Sequence, residues 1–236
     1  MALIARDVIS RVRNILQDAG SVHWTLQELR DALNDGLLEI CLLKPSACAD
    51  AVVMELEQGT LQRLDDGQSQ LMRVTRNITS AVGAEPRVSG PVITPIERQI
   101  LDQQIPGWHD ATQMPFSPVV RHVMTDEFNP RVFYVYPGND GTGRIEAIVA
   151  TEPTPVSEPG DPNDITAYTD EVDISPVYQS VLIDYMLYRA FSKDMQMANA
   201  ANRAVAHYQN FTNALGVRRQ IEAVANPDTT GAATNS

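Results

Sequence analysis

Four histidines and two cysteines are the residues best suited to hold a metal or activate a nucleophile, and their spacing argues against both. His23, His109, His122 and His207 are scattered without ligand spacing, and Cys41 and Cys48 supply no second thiol pair. No serine sits in a Gly-x-Ser-x-Gly nucleophile turn. Asp65 and Asp66 precede Gly67 and read as turn chemistry. Asp161, Asn163 and Asp164 open like a calcium loop, but that pattern then requires Gly where Thr166 stands and Glu where Val172 stands. Glu152, Glu158, Asp161 and Asp164 lie among prolines, which reads as a solvated connector rather than the paired carboxylates of an acid–base site. The run GNDGTG at 138–143 has closely spaced glycines, yet no helix follows it, so phosphate-loop and dinucleotide readings fail on context. Aromatics interleaved with basic residues, the mark of single-strand binding, are also missing. The sequence therefore assigns no catalytic residue, no metal ligand and no cofactor.

Charge points the same way. The 236 residues carry a net charge of −12, which opposes ordinary binding to a phosphate backbone. It does not oppose a protein that surrounds DNA without gripping it. Lys44 and Lys193 are the only lysines. The arginine bias reads first as compositional drift and second as arginine at subunit contacts, where a planar fork suits carboxylates. With no basic region followed by an apolar core at the N-terminus, a signal peptide is not expected, and two cysteines then point to a reducing compartment at synthesis. Cys41 falls on an apolar helix face, as a buried thiol. No apolar run reaches the roughly 18 residues of a membrane span, so no membrane partner is expected.

The elements that could position a surface are helical at both ends. Residues 3–19 form one helix, with Ile4, Val8, Val12, Ile15 and Leu16 on one face and Gly20 as terminator. The next starts at a capping box of Thr25 and Glu28, with Trp24 and Leu29 as a hydrophobic staple, and ends at Lys44-Pro45. Residues 51–79 change to the strand period and read as a β-meander. A short helix at 95–104 follows, with Thr94 as N-cap, Pro95 first and Glu97 completing the box. Residues 119–125 and 131–136 are strands, 137–143 a turn, and 144–151 the returning partner strand. Val132, Tyr134 and Tyr136 alternate with Phe133 and Val135, which leaves both faces apolar. A Pro- and Asp-rich linker occupies 152–174. Two helices then fill 175–216, starting at Ser175-Pro176, meeting near 192–195 and stopping at Gly216. Val177, Val181, Leu182, Tyr185, Met186 and Tyr188 mark the first apolar face; Met197, Ala201, Ala204, Val205, Tyr208, Phe211 and Leu215 mark the second. The remaining polar tail should order only with outside help. The fold class is α+β: a helical bundle from residues 1–50 and 175–217, an inserted antiparallel β region of hairpins or a small sandwich at 51–151, a linker at 152–174, and an extended C-terminal arm at 218–236.

Several stretches together carry a resemblance. They are HWTLQELRDALNDGLLEI, LQRL, RVTRNI, ILDQQIPGWH, DEFNPRVFYVYPG and YQSVLIDYMLYRAFSKDMQMANAANRAVAHYQNFTNALG, in order and at matching spacing over about residues 5–216. They resemble the tailed-bacteriophage head-to-tail adaptor, or connector, proteins. The resemblance implies a homo-oligomeric ring, usually a dodecamer, below the portal protein and above the tail tube or nozzle protein, with double-stranded DNA passing through its lumen without specific binding. It also implies a place at the head–tail junction of the virion, after assembly in the host cytoplasm, and no catalysis. A stopper or nozzle protein is the nearest alternative. A DNA-packaging ring protein is a further one, but it would need a basic helix-turn-helix face that the sequence lacks. On this reading Tyr188, Arg189, Lys193, Arg203, Val217, Arg218, Arg219 and Ile221 are candidates for the subunit or portal interface. Arg131, Tyr134, Asn139 and Asp140 are candidates for a tail-facing β surface.

Overall fold

In the computed structural model the described residues are 2–126, 128–193 and 199–225, with side chains through Gly216. The helices are α1 (Ala5–Leu16), α2 (Leu26–Leu43), α3 (Arg98–Gln104), α4 (Gln179–Lys193) and α5 (Ala200–Ala225). The strands are β1 (Ala49–Glu55), β2 (Gly59–Arg63), β3 (Gln68–Ile78), β4 (Ser89–Val92), β5 (Thr94–Pro95), β6 (His122–Thr125), β7 (Val132–Asn139) and β8 (Arg144–Thr151). The class is α+β. The chain divides into two compact units, Met1–Ala47 with Pro153–Ser236, and Cys48–Glu152.

In the helical unit α4 is the central helix, packing against α1, α2 and α5. Val8, Ile9 and Val12 of α1, Leu29, Leu33, Leu37 and Ile40 of α2, and Leu182 and Met186 of α4 are almost wholly buried in one core. Gly36 is what lets α2 approach α4: a Cβ there would stand 2.7 Å from Leu182 Cδ1 and 2.9 Å from Tyr185 Cδ1. The first helix ends earlier than Gly20. Gln17 takes the left-handed cap at φ 57°, and Asp18 accepts hydrogen bonds from the backbone N–H groups of Val22, His23 and Trp24. Gln17 thus takes the left-handed position a terminal glycine would have taken, and the carbonyls of Arg13 and Asn14 are capped by backbone N–H groups there. The Thr25–Glu28 capping box forms as the sequence indicates.

Several readings of this unit are corrected. Residues 152–174 are not a solvated connector. Val156, Tyr168, Val172 and Ile174 are core residues, Ile4 bridges Glu171, and Asn34 exchanges two hydrogen bonds with the backbone of Val156. The prolines and aspartates shape a chain that lies on the helices. The second correction concerns the start of α4. Ser175 makes no cap bond, Pro176–Tyr178 is a tight 3-10 turn, and Val177 is 61% exposed. The third concerns its end: α5 does not stop at Gly216. That glycine lies in open space without a positive φ, so nothing there breaks the helix, and VRRQIEAVA continues it to Ala225. Met197 and the tail beyond Ala225 lie outside the described residues. Ala201 and Val205, expected on the inner face of α5, are exposed. Cys41 is half-buried, and both cysteines are disulfide-bonded, so the buried-thiol reading also fails.

The β unit is two four-stranded sheets, ordered β1-β8-β3-β4 and β2-β7-β6-β5. Their inner faces share a core that includes Met54, Leu71, Val74, Val123, Phe133, Val135, Ile145, Ala147 and Val149. The expected meander is absent, because β2 leaves the first sheet and pairs with β7 of the second. The expected β7–β8 hairpin is absent too. β8 lies between β1 and β3, antiparallel to both. Asn139 makes that corner. Fully buried, it accepts from the N–H groups of Gly141 and Gly143 and donates to the carbonyl of Ser117. The chain therefore leaves one sheet for the other instead of folding back. Thr94-Pro95 is a strand beside β6, so Thr94 is no N-cap; its hydroxyl pairs with His122 Nδ1 at 2.7 Å, and the short helix begins at Arg98 behind Glu97.

Candidate assembly surface

The exposed charges of α4 do not stand free on the helix. Lys193 donates to Glu28 Oε1 at 2.6 Å, and Arg189 meets Asp35 Oδ2 at 2.7 Å. Arg189 also donates to the Tyr185 hydroxyl, which burial holds above its ordinary phenol range. Positions 28, 31 and 35 share one side of α2, and 189 and 193 share one side of α4, so the two helices present facing rows of opposite charge. Glu28 already closes the capping box of α2. The hydrogen bond from Lys193, helped by those from Thr25, keeps its carboxyl below the usual glutamate range.

Between these rows lies a cleft of about 230 Å³. Leu29, Ala32, Met186 and Ala190 give it an apolar floor, and Trp24 closes one side. The indole is fixed by a hydrogen bond from Nε1 to the carbonyl of Ala190 and by edge contact with Phe191. Trp24 is thus structural, as a staple residue should be. Asp31, the third acid on the cleft, pairs with Arg30 of its own helix at 2.7 Å, and Arg30 reaches on towards Glu158.

On the other side of α4 an aromatic ladder joins it to α5. Tyr185 packs on Phe211, Tyr188 on Tyr208 at 4.9 Å, and Phe191 stacks on His207. Arg203 lies over the Phe191 ring, and His207 Nδ1 meets Asp184 Oδ1 at 2.8 Å. Tyr188 is half-buried in this seam and Tyr208 is partly exposed. The structure therefore gathers Tyr188, Arg189, Lys193 and Arg203 on one helical layer. The side chains of Val217, Arg218, Arg219 and Ile221 lie outside the described residues; their backbone is helical.

The β candidates are not brought together. Arg131 precedes β7 and pairs with the turn at Asp65 and Asp66. Asn139 ends that strand, buried in the corner, and Asp140 accepts from Thr142 in the adjoining turn. Asn139 cannot contact a partner directly. Tyr134 faces the outer side of its sheet, where Arg98 covers its ring at 4.6 Å and Trp108 and His109 approach its edge. That second apolar face is covered from within the chain: Trp108 is fully buried against Met124 and Leu101, with its Nε1 donating to Asp102. His109 shares a hydrogen bond with Thr60, and burial, then nearby Arg98, lower its affinity for a proton.

Sequence reasoning missed Glu28, Asp31 and Asp35 as a facing row. The signal was present in their i, i+3, i+7 spacing opposite a basic pair four residues apart. Among the described residues no group of three or more His, Cys, Asp or Glu could hold a metal ion, and no helix is long and apolar enough to cross a membrane. No curated protein matches the chain significantly. A family model does match, over residues 4–232, and so takes in both units. The chain belongs to the SU10 adaptor protein family.

Proposed function

We propose that this protein is a structural component of the phage neck, a ring of identical copies joining the portal to the tail and enclosing the DNA channel. The family match across both units carries the reading. A closed ring needs two different surfaces per subunit, and the helical layer offers two: the charged cleft of α2 and α4, and the exposed flank of α5 with Val205 and Tyr208. A net charge of −12 suits a conduit that DNA passes through without being held. In this reading the helical unit forms the ring body and docks the portal, the β unit faces the tail, twelve copies close the ring, and assembly takes place in the host cytoplasm. The copies carry no catalytic role. Electron microscopy of the protein mixed with its portal tests the proposal. A closed ring stacked on the portal is the expected image; separate particles at every ratio and concentration overturn it.

A further inference from the structure

The last turn of α2 lacks the usual features of a helix end. Leu42 and Leu43 are 74% and 38% exposed, and that turn carries no basic side chain to meet the helix carbonyls. The cap residue Lys44 has φ −141° in place of a left-handed turn, and its N–H bonds only the carbonyl of Ile40. Pro45–Cys48 is a tight 3-10 turn that leads straight into β1. A covalent bond spans this stretch. The chain has two cysteines, both disulfide-bonded, so within one chain the bond joins Cys41 in the last turn of α2 to Cys48 at the end of the 3-10 turn. Inside the closed loop Lys44 is anchored separately, buried with its ammonium 5.5 Å from the centroid of the Tyr178 ring. Opening the bond would therefore free the turn without releasing the helix.

A disulfide sits badly with a protein put together among reduced thiols, where such bonds are mostly transient or redox-sensing. The host cytoplasm is such a place, and the finished virion then leaves it for an oxidising exterior. Cys41 and Cys48 are both half-buried rather than enclosed, so a small thiol or disulfide can approach them.

We propose that Cys41–Cys48 is a redox staple, open as two thiols during assembly and closed as a disulfide in the released particle, where it fixes the end of α2 to the turn before β1. Closure is thiol–disulfide exchange with a small-molecule disulfide. One cysteine thiolate attacks it and expels one thiol; the second cysteine thiolate attacks the mixed disulfide and expels the other. The two cysteines lose two electrons and two protons, and the small molecule leaves as two thiols. The timing rests on the reading of assembly in the host cytoplasm; the bond and its local effect do not.

The full-length chain tests it in glutathione buffers, by intact mass after alkylation and by amide hydrogen exchange. With reduced glutathione in large excess, both cysteines of each chain should take an alkyl group; with glutathione disulfide in excess neither should, at the mass of a single chain. Amides of residues 42–48 should exchange at least about tenfold faster in the reduced chain, and those of α4 should not change. Cys41→Ser/Cys48→Ser should show the fast rate in both buffers. A bond that survives the reducing buffer overturns the staple, and so do oxidation to linked dimers or a stable glutathione adduct, and equal exchange in the two forms. Mixing with portal in reducing buffer tests the timing: rings that form there and close their disulfides on later oxidation support it, and rings that form only from oxidised chain overturn it. If neither form makes a ring, the ring reading falls and the timing with it, while the mass and exchange results still decide the staple.

Discussion

The two units hold their candidate residues in opposite ways. In the helical unit Arg189 and Lys193 are 45% and 48% exposed, and each is tied to α2 by one short ionic contact. In the β unit Arg131 and Asn139 stand at opposite ends of β7, and Asn139 has no exposed surface. A helix repeats its outward face every turn, so residues three and four apart gather into one surface. A strand that ends in a corner spends its polar residues on building the corner. The helical layer is therefore the better place to look for a contact between copies, and the β sandwich reads as a body held rigid from within.

Each unit has its own tryptophan, Trp24 or Trp108, so the contrast can be measured. The largest effect should come from Phe133→Ala, which removes a fully buried ring from the β core. A loss of about 3–5 kcal/mol is expected. In urea, the transition reported by Trp108 in a Trp24→Phe background should shift, while that reported by Trp24 in a Trp108→Phe background stays put. Equal shifts in both would show a single cooperative body and break the comparison. Asn139→Ala comes next. It strands the buried N–H of Gly143 and removes the bonds to the N–H of Gly141 and the carbonyl of Ser117 at the sheet-to-sheet corner, for a loss of about 1–3 kcal/mol confined to the β unit. Thr25→Ala should remove about 1 kcal/mol from the helical unit by taking away the cap of α2, seen as a lower midpoint for Trp24 alone.

The smallest effect is a pH dependence. Lys193 is the first cause of the lowered Glu28 pKa, so the charged carboxylate is favoured in the folded state. Its contribution is fully present above the unfolded glutamate value, about 4.3, and is lost as pH falls through the lower folded value. At its exposure the contribution is under about 1 kcal/mol. Glu28→Gln should flatten the acid limb of the helical unit's stability below the unfolded glutamate value of about 4.3 and leave the β unit's limb unchanged. A Glu28→Gln chain with an unaltered acid limb would show that the ionic link contributes nothing.

The helices were legible because their signals are local. Thr25 and Glu28 lie three residues apart, and the core faces of α2 and α4 follow a 3.6-residue period. The sheet order was not legible, because alternation marks a strand without naming its neighbour. β8 pairs with β1 and β3 across some 70–100 residues of sequence, and the side chain that sends it there, Asn139, looks like any turn asparagine. Proline content misled at 152–174, where Val156, Tyr168, Val172 and Ile174 sit too far apart to form a period yet each fills the helical core. For the surface, the α4 basic pair stood out in the sequence, whereas its acidic partners on α2 became visible only when the two helices were laid side by side.

Glu28 serves two masters: it completes the start of α2 and holds the last residue of α4. A pull applied through α5 onto α4 would reach α2 along the apolar seam and along the ionic links at Glu28 and Asp35. The ionic links weaken with salt, since the screening length falls from about 10 Å at 0.1 M to about 3 Å at 1 M. The apolar seam does not weaken in that way. The stiffness of the helical layer thus has a tunable part and a fixed part, and ionic strength is the handle that separates them.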